Sequence, residues 1–452
     1  MVCTLMHRAR NKFARHLPPP LRWLGPWARA LAGRPARALR GTGRLVADPV
    51  VVVLHYWASE RATMRQGFAA NFVSALTSLV AGVTLASMDG RLEAVAGLFV
   101  LIPVSIGMRG NIFGAMAARL GTAIHSGLFE LSRNRSGVLQ QNIYAAALLT
   151  VATSVAMGLL ARSVAGLFGL ETVSLWDLIV VALVGGILSS AFVLAFTVYL
   201  SAESYRRGWD LDSVGATLIT TVGDVVTLPC LLAASYLVHL RVITVALGVL
   251  AVAAGVASVR RGWTTMWPLA RRIFQESLPI LCVAIVLDIL AGTVAEPRLE
   301  SFLVYNAFFV LLPGFLARTG ALGSILAARL GSKLHLGAVT PRARPGAAAL
   351  LDASLVFVLG ISVYALAGVA TLVLAEILGY SYPGVARFLG VTLTGGILAT
   401  AVASVIGYYA AVVAYRFGFD PDNHTIPVVT SGMDLLGVIC LVVALVVFGV
   451  GS

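Results

Sequence analysis

Apolar stretches of roughly 20 or more residues, separated by short polar segments, recur from about Gly67 to the C-terminus. Each is long enough for a helix to cross a hydrocarbon core of about 30 Å. Ten-residue segments of alternating polarity are missing, so the pattern predicts helices and not a β-barrel. Eleven spans are expected. Five lie in the first half, at about Gly67–Met88, Ala94–Leu128, Asn142–Leu167, Leu175–Leu200 and Gly215–Val238. One stands between the halves, at Val242–Val259. Five more follow, at about Leu278–Val294, Phe302–Leu336, Ala347–Leu378, Val385–Val413 and Ile426–Val447. The second and eighth are too long for an upright crossing. Pro103 and Pro313 sit inside them, which predicts a kink or strong tilt.

A shift of 210 residues superimposes the two halves without a gap. Pro103 meets Pro313, Arg119-Leu120-Gly121 meets Arg329-Leu330-Gly331, and Gly185-Gly186 meets Gly395-Gly396. Tyr205-Arg206 meets Tyr415-Arg416, Asp210 meets Asp420, and Asp224 meets Asp434. One offset holding from about residue 81 to 434 is a duplication. Each copy has five spans, an odd number, so a direct junction would invert the second copy. The extra span Val242–Val259 restores it to the orientation of the first, giving parallel halves about an axis along the membrane normal. The basic residues agree. With this connector, Arg206, Arg207, Arg260, Arg261, Lys333, Arg342 and Arg344 share the side of a basic N-terminal tail. The positive-inside rule makes that side cytoplasmic and puts the C-terminus outside the cell membrane. The expected organisation is a basic tail at 1–60, a first five-helix repeat at 61–240, the connector at 241–262 and a second repeat at 263–452.

Composition strengthens this reading. Hydrophobic residues make up 59% and charged residues 12%, too few charges to cover a water-facing surface of this size. The net charge of +13 is read as topogenic charge beside anionic lipid, not as a nucleic-acid footprint. An interfacial helix around Leu21–Leu31 or an unstructured tether both fit the tail. Cys3, Cys230, Cys282 and Cys440 are scattered and form no disulfide or zinc spacing. HExxH, GxSxG and paired-Asp protease patterns are missing, so no enzyme is expected.

Asp224 lies near the middle of its span, and Asp434 repeats it. A carboxylate facing lipid at that depth costs at least about 2.5 kcal/mol, so each should face a partner or a hydrated path. Two carboxylates around one axis repel each other unless a cation lies between them. The nearby donors are oxygens: Thr220, Thr221, Thr227, Thr430 and Ser431. Hard oxygen donors suit Mg²⁺, Ca²⁺ or Mn²⁺, and two carboxylates suit a Mg²⁺ that keeps its waters. Two other readings stay open. The aspartates are ion-pair partners of Arg109, Arg119, Arg318 or Arg329, or they relay protons. Small residues at Gly107, Gly110 and Gly114, matched by Ala317, Gly320 and Ser324, pack helices closely or make room for an ion. Asn111 adds an oxygen where the second copy has Ala321. Asp210, Asp212, Asp420, Asp422 and Asn423 cap the fifth helices or ring a cation mouth. His125 and His335 are expected at the membrane boundary.

These residues carry a resemblance. Gly110-Asn111, followed by Ala-Ala-Arg-Leu-Gly-Thr, and Asp420-Pro-Asp-Asn423, leading into Pro-Val-Val-Thr-Ser-Gly-Met-Asp434, are similar to the MgtE-type magnesium transporters. The two-repeat branch, with the eukaryotic solute-carrier magnesium transporters, is the nearer match. The resemblance implies a pore lined by the second and fifth helices of each repeat. It implies pore roles for Asp224 and Asp434, which would bind hydrated Mg²⁺, and for Asn111; Thr220, Thr221, Thr430, Ser431, Asp210, Asp420 and Asp422 stand as candidates on the residue reading above. Ala321 departs from the pattern, and no large regulatory region accompanies the repeats. The implied protein is a monomer acting as a pseudo-dimer in the bilayer, carrying Mg²⁺ with Mn²⁺ and Co²⁺ open as co-substrates. An exchanger coupled to Na⁺ or H⁺, or a non-transporting scaffold, is the alternative.

Overall fold

The computed structural model describes residues 49–131, 136–207, 211–418 and 426–450. The chain divides into a short unit, Met1–His55, and the body Tyr56–Ser452. Residues 1–48 of the basic tail, with the segment Leu21–Leu31 read as an interfacial helix or a tether, lie outside the described residues. Helix α1 is Pro49–Ser59, α2 Arg61–Ala86, α3 Asp89–Ala94 and α4 Leu98–Arg109. A π turn at Gly110–Gly114 leads into α5, Ala115–His125. Then come α6 Val138–Leu167, α7 Leu175–Arg207, α8 Leu211–Ser235 and α9 Arg241–Thr264. The second half continues with α10 Pro268–Ala295, α11 Leu299–Val304, α12 Ala307–His335, α13 Ala347–Leu378, α14 Val385–Phe417 and α15 Ile426–Val447.

Among the described residues ten helices are long and apolar enough to cross a membrane. The remaining expected span, Gly67–Met88, falls largely in α2, a helix of 26 residues in which Asn71–Ala86 is apolar. The two over-long spans also change. Short helices α3 and α11 take their first residues, so the crossings begin at Leu98 and Ala307. The first is interrupted by the π turn after Pro103, whereas α12 keeps Pro313 inside one continuous helix.

The first helix of each half packs on the second helix of the other half. A methyl group on Gly82 of α2 would lie 2.1 Å from the Val310 carbonyl oxygen of α12. A methyl on Gly292 of α10 would lie 2.4 Å from the Val100 carbonyl oxygen of α4. Gly82 and Gly292 are repeat equivalents, and so are Val100 and Val310. The halves therefore interlock by two matching backbone contacts that only glycine permits. Connector α9 lies outside this exchange, on the first half. Gly248 receives Trp176, and Gly255 receives Val155. Its other face exposes Val242, Leu250 and Val256, the surface expected against lipid.

Candidate cation site

A cavity of about 420 Å³ runs between the halves. Its walls are α4, the π turn and α5 on one side and α12 on the other, closed by α8 and α15. Repeat-equivalent residues face it in pairs: Pro103 and Pro313, Gly110 and Gly320, Thr220 and Thr430, Asp224 and Asp434. Six waters at about 30 Å³ each occupy roughly 180 Å³, so a fully hydrated ion fits.

The wall is thin because of its glycines. Beside Gly110 the Thr220 side chain lies 3.2 Å from a would-be Cβ, and beside Gly320 the equivalent Thr430 lies at 3.4 Å. The second and fifth helices of each repeat thus meet in the same way. This closeness brings the fifth-helix aspartates to the cavity surface. Asp224 is buried, Asp434 is half-buried, and their charges act on each other directly. Asn111, in the π turn, reaches across to the other half. Its Nδ2 donates to Ser431 Oγ at 3.4 Å, and its Oδ1 accepts from Thr430 Oγ1 at 3.3 Å. A π turn adds a residue to the helix and commonly marks a functional position; here it turns Asn111 toward the cavity.

The cavity ends differently at its two ends. Toward the C-terminal end of α5 it is lined by Ala118 and Thr122, with Ile426 and Pro427 from α15. At the other end it stops at Pro103 and Pro313. One helical turn beyond them, the equivalent residues Phe99 and Phe309 meet with ring centroids 6.0 Å apart. Phe302 packs on both, at 5.9 and 5.5 Å. All three rings are buried, so this end is sealed by apolar surface.

A family model described as MgtE, divalent cation transporter, matches the chain over residues 102–234 and again over 312–444. The chain belongs to the MgtE family of divalent cation transporters. The two matches are displaced by the offset that superimposes the halves, so each repeat is one copy of the family's unit. This MgtE-family chain is a transporter and not an enzyme. It is also similar to Solute carrier family 41 member 3 of Mus musculus, with 22% identity over 375 residues, covering 76% of this chain and 73% of that protein. No solved structure matches it.

Within this MgtE-family protein the sequence-predicted residues separate. Asn111, Thr220, Thr430, Asp224 and Asp434 line the cavity. Thr221 and Ser431 do not; Ser431 is fully buried behind the wall. Asp210, Asp420, Asp422 and Asn423 lie outside the described residues, and Asp212 is described only by its place in α8. Thr227 is tied to the Gly223 carbonyl at 2.6 Å. His125 and His335 end α5 and α12, both exposed.

The ion-pair alternative fails. Among the described residues no arginine bridges to Asp224 or Asp434. Arg109 donates to the Gly186 carbonyl at 2.7 Å and to the Ser190 hydroxyl, and Arg318 donates to Ser78 Oγ at 3.2 Å. Arg119 donates to Asn142 Oδ1 at 3.0 Å, and the equivalent Arg329 donates to Asp352 Oδ1 at 3.1 Å. Asp352 also takes Lys333 Nζ at 2.6 Å and the Tyr56 hydroxyl at 2.7 Å. Burial, then the Asp352 carboxylate, pushes the Tyr56 phenol above its usual range.

One carboxylate escaped the sequence reading. Asp288, in α10, is fully buried, and the Asp434 charge acts on it. The signal was available, since an ionisable residue inside an apolar span is a functional candidate by itself.

Proposed function

We propose that this chain carries Mg²⁺ across the membrane along the axis between its repeats, with the ion held through its waters by Asp224 and Asp434. One observation carries the reading: a cavity on the repeat axis, large enough for a hydrated ion, into which both matched aspartates project. Two carboxylates supply charge without enough oxygens to strip the ion, which suits Mg²⁺ because it dehydrates reluctantly. The similarity to Solute carrier family 41 member 3 and the family's divalent substrate class support the same reading. Asn111, Thr220 and Thr430 accept hydrogen bonds from the ion's water shell. The open end near Thr122 faces the cytoplasm by the positive-inside rule, and the phenylalanine seal faces out. Residues 61–240 and 263–452 form the two repeats, with α9 as the connector that keeps them parallel. The chain works as a monomeric pseudo-dimer.

The test is growth and Mg²⁺ uptake in a cell deficient in magnesium uptake. Asp224→Ala and Asp434→Ala are expected to reach the membrane at wild-type levels and to lose uptake. Uptake at wild-type rate by the double variant would overturn the reading.

A further inference from the structure

We propose that Asp288 and Asp434 form a second cation position, set behind the cavity wall and present in the second repeat only. This rests on the cation pathway proposed above and extends it by one step. Asp288 is fully buried, and neither of its carboxylate oxygens has a hydrogen-bond partner. It does not line the cavity. It points at Gly107 of α4. A Cβ built there would lie 2.7 Å from Asp288 Oδ2 and 3.6 Å from Asp434 Oδ2. The two carboxylates therefore converge on one small space that the glycine leaves open. The Ser431 hydroxyl is close enough to interact with Asp288.

Among the described residues no cationic side chain bridges to this pair. The buried arginines are engaged elsewhere, Arg109 on Gly186 and Ser190, and Arg318 on Ser78. Two converging carboxylates, Asp288 fully buried and Asp434 half-buried, with no counter-charge among the described residues call for a cation. One divalent ion neutralises both. Asp434 belongs to both positions, because it also lines the cavity. An ion can thus pass from the hydrated cavity to Asp288 without releasing Asp434. The second position is more enclosed, so the ion there keeps fewer waters. In the first repeat the equivalent of Asp288 is Ser78, which accepts from Arg318, so no matching position exists on that side.

The test is Mn²⁺ binding to the purified full-length chain in Mg²⁺-free detergent solution, counted by electron paramagnetic resonance. Wild type is expected to bind two Mn²⁺ per chain. Asp288→Asn is expected to bind one. Asp288→Ser, which places there the residue that the first repeat carries, gives the same count and serves where the Asn variant does not fold. Asp224→Asn is expected to keep the ion at Asp288. Two ions retained in a folded Asp288→Asn or Asp288→Ser variant, or a single ion in the wild type, overturns the second position. Two ions retained in Asp224→Asn counts instead against the cavity pair, so the two failures are distinguishable.

Discussion

The two repeats of this transporter use the same backbone contacts and different polar chemistry. Gly82 and Gly292 make the same close approach to a carbonyl of the opposite half. Phe99 and Phe309 meet on the axis, and Asp224 and Asp434 face one cavity. Around this shared frame the donors diverge. Asn111 and its π turn stand opposite Ala321 in an unbroken helix. Ser78 stands opposite Asp288, and Asn142 opposite Asp352. At the last two of these positions the carboxylates, Asp288 and Asp352, fall in the second repeat. Phe99 and Phe309 meet as equivalents, and Gly82 on Val310 is repeated as Gly292 on Val100, so both copies satisfy the same steric condition. Side chains without such a matched contact, Asn111 at the cavity among them, are free to specialise.

The largest expected effect tests the shared frame. Gly82→Val and Gly292→Val each drive a side chain into a carbonyl oxygen that cannot move aside. Overpacking of this kind costs about 1–3 kcal/mol when side chains can yield, and backbone yields less. Both variants are expected to lose monodisperse protein on size-exclusion chromatography, to the same degree. A large loss from one and none from the other would break the symmetry of the frame.

A smaller effect tests the divergence. Asp352 is buried under Arg329 and Lys333, which keep 20% and 29% of their side-chain surface exposed. Breaking a fully buried pair costs about 3–5 kcal/mol; with both cations partly solvated, Asp352→Asn is expected to cost about 2–3 kcal/mol. The mirror change, Asn142→Asp beside Arg119, is expected to stay within about 1 kcal/mol of wild type. Thermal unfolding of the two variants in detergent gives the comparison directly.

The smallest effect tests the asymmetry of the cavity. Asn111→Ala gives the first repeat the side chain of the second. It removes one hydrogen-bonding group from the ion's water shell and the cross-repeat bonds to Thr430 and Ser431. Loss of a hydrogen bond of this type is worth about 1 kcal/mol, so apparent Mg²⁺ affinity is expected to weaken by roughly fivefold. Ala321→Asn is expected to change it less, because α12 has no π turn to direct the new side chain. Uptake measured against Mg²⁺ concentration separates the two.

Much of this was legible in the sequence because it follows from periodicity. The long apolar runs gave the helices, and the 210-residue offset paired Pro103 with Pro313 and Asp224 with Asp434. The family match carries the same offset. What stayed hidden depends on contacts between distant segments. Nothing local in Gly82 or Gly292 says that each packs on the other repeat. Asp288 was overlooked because attention to matched pairs passes over a residue whose counterpart is Ser78. The partners of Arg119 and Arg329 were missed for a related reason. Asn142 and Asp352 sit near the starts of α6 and α13, where a polar residue reads as an ordinary helix end.

The central claim is that Asp224 and Asp434 act as one site. It is tested most directly by Mg²⁺ flux into liposomes holding the purified chain, compared for Asp224→Asn, Asp434→Asn and the double variant. Residues that act as a unit are strongly non-additive. The account predicts that each single variant loses at least tenfold in flux and that the double variant loses little more. Two independent losses that multiply, or a double variant that carries Mg²⁺ at the wild-type rate, would contradict it.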